Sequence, residues 1–381
     1  MAKRWELRKG RSGMKTSDTN HVPFAQIPGG SQPGKMLMGL LEGEDAEESS
    51  RRVASVMTLT QSGKLLNKVK GMLVGLAVGD AVGMVCEFAQ PGEFEYVDGM
   101  RAGGPFDLPK GYWTDDTSMA LCLGASLLEK QGYDSYDVMD KYVKWRNEGY
   151  LSSMGFCFDC GGQIQAELNE FEKDPQRVVP VDQPRTEHAG NGTIMRLAPV
   201  ILAAYRSRSA KSIVEMARIS ARETHYSYEA EAATEVFAAM LIRAMQAVEG
   251  QKSEMDGIEL LSTGERFDDV WRRVSKVDEL QTSGYIIHSL QVAWWAFQQY
   301  DSFEEGMLAV VNLGGDADTN GAIYGQLAGA FYGYEAIPEA WRSELYDEAD
   351  IAEMAIELFE MGECPVLVTR FAEDVPSSDK Q

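Results

Sequence analysis

The sequence predicts an all-α fold, a set of packed helices with almost no sheet. Three observations carry this. Apolar residues recur at three- and four-residue steps in segment after segment, strict polar–apolar alternation is missing, and glycines stand at every fourth position of the most apolar stretch.

Residues 1–62 differ from the rest of the chain. Lys3, Arg4, Arg8, Lys9, Arg11 and Lys15 make a basic start. Pro23, Pro28, Gly29, Gly30, Pro33 and Gly34 punctuate the middle, and Glu42–Glu48 is acidic. Such a segment buries too little apolar surface to offset chain entropy, so alone it is expected to be largely disordered. Trp5, Leu7, Phe24, Ile27, Met36, Leu37 and Leu40 are anchors with which it could order on a partner.

From Gly63 the helical period begins, with Leu65, Leu66, Val69, Met72, Leu73 and Leu76 on one buried face. Gly71, Gly75, Gly79 and Gly83 form a stripe that lets a second helix come close, which offsets the roughly 1 kcal/mol of helix propensity lost at each glycine. Helical spacing continues in Ser118–Lys130, Val138–Trp145, Gln163–Phe171, Thr193–Tyr205, Ala210–Ser220, Tyr228–Val248, Gly284–Tyr300, Phe303–Val311 and Ala322–Phe331. Cys364–Thr369 is the one candidate strand. The expected organisation is an N-terminal extension, 1–62, and a single domain, 63–381.

A net charge of -23 argues against binding nucleic acid or an anionic membrane, since both call for a basic surface. It suits metal cations or a basic protein partner. The apolar stretch Gly71–Phe88 is broken by Asp80 and too rich in glycine for a membrane span. Five cysteines give no disulfide framework and point to a reducing compartment, and the basic N-terminus has no apolar run behind it to make a signal peptide. The expected location is the cytoplasm. Cys157 and Cys160 form a lone CxxC, more simply a small buried pair than a zinc site.

The chemistry concentrates in two stretches. In Gly111–Leu123, Asp115 and Asp116 lie between Thr114 and Thr117, and with Thr114 as N-cap both carboxylates fall in a first helical turn, where the macrodipole favours negative charge. In Gly314–Gly321, Asp316, Asp318 and Thr319 precede a helix expected near Ala322, with Gly314 and Gly315 freeing the backbone to turn. Two helix starts so loaded would repel each other if they met without a cation. Oxygen donors in that number suit Mg²⁺ or Mn²⁺ rather than zinc.

Six blocks, in order across roughly residues 63–345, carry a family resemblance. They are Gly71–Glu87 (GMLVGLAVGDAVG…E), Gly111–Leu121 (GYWTDDTSMAL), Asp159–Gly162 (DCGG), Gly190–Pro199 (GNGTIMRLAP), Thr224–Tyr226 (THY) and Asn312–Gly333 (NLGGDADTNGAIYGQLAGAFYG). With these the chain resembles the ADP-ribosylglycohydrolase family. The resemblance implies a compact orthogonal multi-helix domain with a binuclear metal centre at the base of an ADP-ribose cleft. Its metal ligands would be Thr114, Asp115, Asp116, Asp316, Asp318 and Thr319. Glu87 would lie near the substrate ribose, with Asp116 or Asp316 to take a proton from water, while Asp80 reads equally as a helix-terminal structural carboxylate. Gly161, Gly162, Gly190, Asn191 and Gly192 could offer backbone N–H groups to a pyrophosphate, the last three before a helix start. His225 matches a cleft histidine, and Tyr228 stands where the family often has proline.

The implied activity is hydrolysis of the N-glycosidic bond of ADP-ribosyl-arginine on proteins, with a serine linkage also open. The extension resembles that of immunity proteins of this family, so a second expectation is that residues 1–62 block a cognate ADP-ribosyltransferase toxin. A regulatory hydrolase of a housekeeping enzyme and a non-catalytic ADP-ribose-binding module are the other readings.

Overall fold

A computed structural model describes residues 46–372 apart from 182–183, 185–188, 207–208, 249 and 278, with side chains from residue 62. The anchors expected between Trp5 and Leu40 lie outside the described residues. The unit from Leu66 onward carries the site.

The described residues are mostly helical. In chain order the α-helices are α1 (Ala46–Gly83), α2 (Asp115–Lys130), α3 (Ser135–Glu148), α4 (Gly162–Lys173), α5 (Ala198–Ala204), α6 (Ala210–Ala221) and α7 (Tyr228–Gln246). They continue with α8 (Glu265–Ser275), α9 (Ile286–Gln299), α10 (Phe303–Val311), α11 (Ala317–Tyr332), α12 (Glu339–Glu344) and α13 (Glu348–Glu360). Four very short strands pair in parallel, β1 (Tyr133–Asp134) with β3 (Val366–Val368) and β2 (Val179–Pro180) with β4 (Phe371–Ala372). The strand expected at Cys364–Thr369 is β3.

Helices α1 and α11 set the frame. The glycine stripe of α1 meets a second one on α11 in antiparallel register: Gly71 faces Gly329, Gly75 faces Gly325, Gly79 faces Gly321, and Gly83 faces Ala317. A methyl added at Gly79 would stand 2.0 Å from the Gly321 carbonyl oxygen, and one at Gly325 2.0 Å from the Gly75 oxygen. Backbone lies against backbone, so no side chain can yield. Gly79→Ala is therefore expected to destabilise by roughly 3 kcal/mol, overpacking outweighing the gain in helix propensity. Gly63→Ala, with nothing within 4 Å of the new methyl, should be neutral or stabilising. Denaturant midpoints of the two variants compare these directly.

This pairing brings the C-terminal end of α1 against the N-terminal end of α11. Ser62–Cys86 is apolar and long enough to cross a bilayer by composition, yet 89% of its most apolar window is buried inside the protein. Helix α11 also packs on α7, α9 and α10, and α2 on α3, α5 and α13. Lys68 ties α1 to the end of α7 by donating to the Ala244 and Ala247 carbonyls at 2.7 and 2.6 Å. Near the C-terminus, buried Arg370 holds buried Glu223 at 2.7 Å, fixing the short strands to the helical body.

Three helix starts differ from expectation. Helix α1 begins at Ala46, within the segment expected to be disordered, and not at Gly63. Helix α11 begins at Ala317, not near Ala322, so Asp318 and Thr319 lie inside its first turn. The helix expected over Thr193–Tyr205 is broken into a 3-10 turn, Asn191–Thr193, and α5. Pro199 in the first turn of α5 lacks an N–H and so favours a new start there. Buried Gln326 fills the break, donating to the Ile194 and Met195 carbonyls and accepting from the Ala198 N–H. The sequence pattern did not foretell helices α8, α12 and α13.

Candidate active site

Two helix N-termini meet here, and α1 with the turn that follows it supplies the group that caps each. Asp80, in the last turn of α1, accepts from the N–H and Oγ1 of Thr114 at 2.9 and 3.0 Å, and from the N–H and Oγ1 of Thr117 at 3.0 and 2.6 Å. Thr114 stands at the N-cap position of α2, but its side chain makes no cap; Asp80 does that work from another helix. Glu87, just past α1, accepts from the N–H groups of Ala317 (2.8 Å) and Asp318 (3.4 Å), capping α11. These contacts satisfy N–H groups that a helix start leaves unpaired. They also hold Asp116 and Asp318 in neighbouring first turns.

The Thr114 hydroxyl, already beside Asp80, and the Thr319 hydroxyl stand between the two helices. Thr114 Oγ1 reaches Asp116 Oδ2 and Asp318 Oδ2, each at 3.2 Å, and Thr319 Oγ1 lies 3.4 Å from Asp116 Oδ2. Carboxylate oxygens of Asp80, Asp116 and Asp318 all lie within 4.8 Å of one another, as do those of Glu87, Asp316 and Asp318. Asp318 belongs to both groups. Asp80 already accepts four hydrogen bonds, which accounts for the lone pairs of a carboxylate, so it serves better as a positioning group than as a ligand.

So many buried carboxylates cannot all be ionised unaided. Burial, followed by the Asp80, Asp115, Asp316 and Glu87 charges, raises Asp116 well above the usual carboxylate range. Burial and the Glu87 charge do the same to Asp318, and burial with the Asp159 and Asp80 charges to Asp115. Burial pushes Glu87 to about 7 and Asp80 to about 6, the latter restrained by its hydrogen bonds. Asp316 is raised by burial as well. Asp116 Oδ1 is buried with no hydrogen-bond partner. An orphaned carboxylate oxygen among converging carboxylates fits a cation, and a set made wholly of oxygen donors fits a hard one. Acidic residues here could thus hold metal.

A cleft of about 260 Å³ opens beside this cluster. Glu87, Asp115, Asp316, Asp318 and Thr319 line it, together with Gly161, Gly162, Gly190, Asn191, Gly192 and His225. Gly161 and Gly162 start α4, so their N–H groups lie at a true helix N-terminus. Gly190–Gly192 instead leads into the 3-10 turn, which carries little dipole, contrary to the expectation of a full helix there. These glycines make room for His225: a methyl on Gly190 would stand 2.7 Å from its Nε2, and one on Gly192 2.6 Å from its Cε1. Burial and the Arg196 charge lower His225 to about 3, so it is neutral at ordinary pH. Its Nδ1 lies 2.9 Å from Thr224 Oγ1.

Asn191 joins the two halves, since its Nδ2 donates to Asp316 Oδ2 at 2.6 Å and to Ser289 Oγ at 2.9 Å. Asn191→Ala frees Asp316 to turn away. A loss of roughly 10- to 100-fold in metal affinity is expected, the usual effect of removing a partner that orients a ligand, and calorimetric titration with Mg²⁺ would measure it.

The residues assigned to metal, proton transfer and pyrophosphate thus stand in the cluster or line the cleft, whereas Tyr228 lines a separate cavity. Asp159 and Phe88 also line the cleft and had no assigned role. Asp159 is raised by burial and the Asp316 charge; its place just ahead of the α4 glycines was the available signal. A larger cavity, about 560 Å³, lies between α6, α7 and α8; within it Arg218 stands near Glu231 (3.6 Å) and Glu235 (3.3 Å), and Arg266 lies over the Tyr228 ring (3.8 Å).

Residues 61–365 match the family model for ADP-ribosylglycohydrolases. An ADP-ribosylarginine hydrolase, Tri1, of Serratia proteamaculans (strain 568) is 34% identical over 326 residues, covering 84% of this chain and 86% of its own length. The ADP-ribosyl-(dinitrogen reductase) glycohydrolase of Rhodospirillum rubrum is 31% identical over 283 residues, covering 73% and 90%. A solved structure described as an ADP-ribosylglycohydrolase-related protein complex superposes with a TM-score of 0.67 at 38% identity, covering 78% of this chain and 99% of that one. The chain therefore belongs to the ADP-ribosylglycohydrolase family, hydrolases of glycosidic bonds.

Proposed function

We propose that the chain hydrolyses the N-glycosidic bond of ADP-ribosyl-arginine on proteins, using two Mg²⁺ ions for which Mn²⁺ can substitute. The observation that carries this reading is the convergence of two carboxylate-bearing helix starts on one cleft that also presents the α4 N-terminus. The 34% identity to ADP-ribosylarginine hydrolases of two bacteria supports the arginine linkage. Thr114, Asp115, Asp116, Asp316, Asp318 and Thr319 would hold the metal. When bound, the ions supply positive charge against the ribose diol and bring the pKa of a bound water toward neutrality.

The protein's own groups divide the remaining work. Gly161 and Gly162 line the cleft at a helix start, and the N–H groups there suit the pyrophosphate. Neutral His225 gives shape and a hydrogen-bonding edge without adding charge. Asp116 or Asp316 accepts the proton of the attacking water, while Glu87, raised to about 7, exchanges a proton near neutral pH. A bond forms from water oxygen to the anomeric carbon as the bond to the guanidine nitrogen breaks; that electron pair and a proton leave with arginine. The test incubates arginine- and serine-ADP-ribosylated proteins with the enzyme, with and without divalent metal. Metal-dependent release from the arginine substrate is expected, and release from serine alone would overturn the linkage.

For residues 1–62 we infer an immunity role in the cytoplasm, with the segment blocking a cognate ADP-ribosyltransferase toxin. Its basic start and scattered apolar anchors, against an otherwise acidic chain, support this. Because α1 begins at Ala46, a truncation removing residues 1–45 leaves that helix whole. Toxin binding should vanish and hydrolysis persist; binding that survives sinks the idea.

A further inference from the structure

We propose that a row of four phenylalanines on the lip of the cleft is the surface on which the polypeptide carrying the ADP-ribosylated side chain docks. The inference rests on the hydrolase function proposed for the cleft and names the part of the protein substrate that the cleft itself does not hold.

The row is continuous. Phe88 meets Phe106 edge-on, with ring centroids 6.3 Å apart; Phe106 meets Phe158 at 5.4 Å, and Phe158 meets Phe156 edge-on at 6.1 Å. These are ordinary aromatic contact distances, yet the rings come from three separate loops and lie outside the core. Phe88 is 66% exposed and Phe156 53%, while Phe106 and Phe158 are half-buried. The row touches the cleft at two points: Phe88, at one end, lines it and follows Glu87, and Phe158, next to the far end, precedes Asp159, which lines it too.

The backbone is committed to this display. Phe88 has φ +63°, a conformation unfavourable for a side-chain-bearing residue, held by its N–H donating to the Gly315 carbonyl at 2.7 Å. The turn carrying Phe106 is closed by the Gly103–Leu108 bridge, and it lies so near α1's end that a methyl on Gly104 would stand 2.3 Å from the Met84 oxygen. A strained backbone presenting an exposed ring beside a catalytic cleft is better explained by binding than by packing.

The occupant follows from size and continuity. A cleft of about 260 Å³ takes a small-molecule moiety, so the polypeptide bearing it must lie across the rim. The rim next to Glu87 and Asp159 is the side nearest the carboxylates, where the bond to arginine is cut. Aromatic rings there suit apolar and cationic side chains flanking the modified arginine, the cations through the ring faces.

The test compares two substrates with the full-length protein: free ADP-ribosyl-arginine and a protein ADP-ribosylated on arginine. For Phe156→Ala and for the Phe106→Ala/Phe156→Ala double variant, KM for the protein should rise about tenfold, the usual loss of one interface aromatic, while kcat/KM for the free compound stays within about twofold. Phe156→Tyr should keep the wild-type KM. Equal losses on both substrates, or no change on either, overturn the assignment. A lower KM for the protein also overturns it, because it would mean that the chain's own N-terminal segment covers the row. Phe156 is exposed, so its variant reads out even if the double variant folds poorly. If the wild type cleaves neither substrate, the hydrolase reading itself falls and this inference with it.

Discussion

Asp318→Asn is expected to abolish turnover while making the metal-free protein more stable. Asp318 is the one carboxylate common to both close groups in the site. It is buried, and its pKa is raised by burial and by the charges of Glu87, Asp116 and Asp316. Removing its charge relieves that repulsion; the amide oxygen can still accept from Thr319 N–H, now at 2.7 Å from Oδ1, and the amide NH2 in the Oδ2 place can donate to Thr114 Oγ1, 3.2 Å away. Without metal, the melting temperature should therefore rise. With Mg²⁺ the wild type should gain stability and the variant should not, because the shared ligand is gone. Activity should fall by roughly 10³-fold, about 4 kcal/mol of transition-state stabilisation. The combination is diagnostic: a misfolded variant would lose activity and melt lower. An active Asp318→Asn enzyme would remove the metal assignment.

How much of this was legible beforehand depended on whether the signal was local. The helical period of α1 and its glycine stripe could be read because each depends on spacing along one segment, and the stripe correctly implied a close helix. That the partner would be α11, glycine to glycine in antiparallel register, is a long-range fact that no single segment contains. The same distinction explains Asp80. As one carboxylate near a helix end it looked structural, and only the fold shows it accepting from both Thr114 and Thr117 across helices.

Helix starts were misplaced where capping was supplied from afar. Asp316, Ala317 and Asp318 look like a loop because no local side chain caps them, and the start at Ala317 becomes favourable once Glu87 arrives from the turn after α1. The break before Ala198 likewise depends on Gln326, more than a hundred residues away in sequence. Asp159 was missed for a different reason: a single aspartate ahead of two glycines is ordinary loop composition until the fold places it on the cleft.

The same carboxylates make the protein's stability depend on pH in opposite ways with and without metal. Glu87 and Asp80 have folded pKa values of about 7 and about 6, raised chiefly by burial from ordinary values of 4.5 and 3.8. A group with a raised folded pKa holds its proton more tightly when folded, so its contribution is present at low pH and is lost as pH rises through the folded value. Chelated protein should therefore gain stability as pH falls from about 8 toward 6. His225 acts in the other direction. Its folded pKa of about 3 lies below the ordinary 6.5, so the unfolded chain takes up a proton below about 6.5 that the folded one does not, and this one group lowers stability there. Glu87 and Asp80, with Asp115, Asp116 and Asp318 raised as well, outweigh it, so the metal-free protein should go on gaining stability as pH falls through 6 toward about 4.5, where the unfolded carboxylates take up protons too. Divalent metal binds the ionised carboxylates and competes with protons, so its stabilisation should be largest at pH 8 and shrink toward pH 5. At a hundred times Kd this amounts to about 2.7 kcal/mol, roughly 3 °C in melting temperature for a chain of this size. Thermal melts from pH 5 to 8 with EDTA or Mg²⁺ measure it. A metal-induced shift that stays constant over that range would mean that the cluster is already ionised in the metal-free fold, and the repulsion argued for Asp116 and Asp318 would have to be given up.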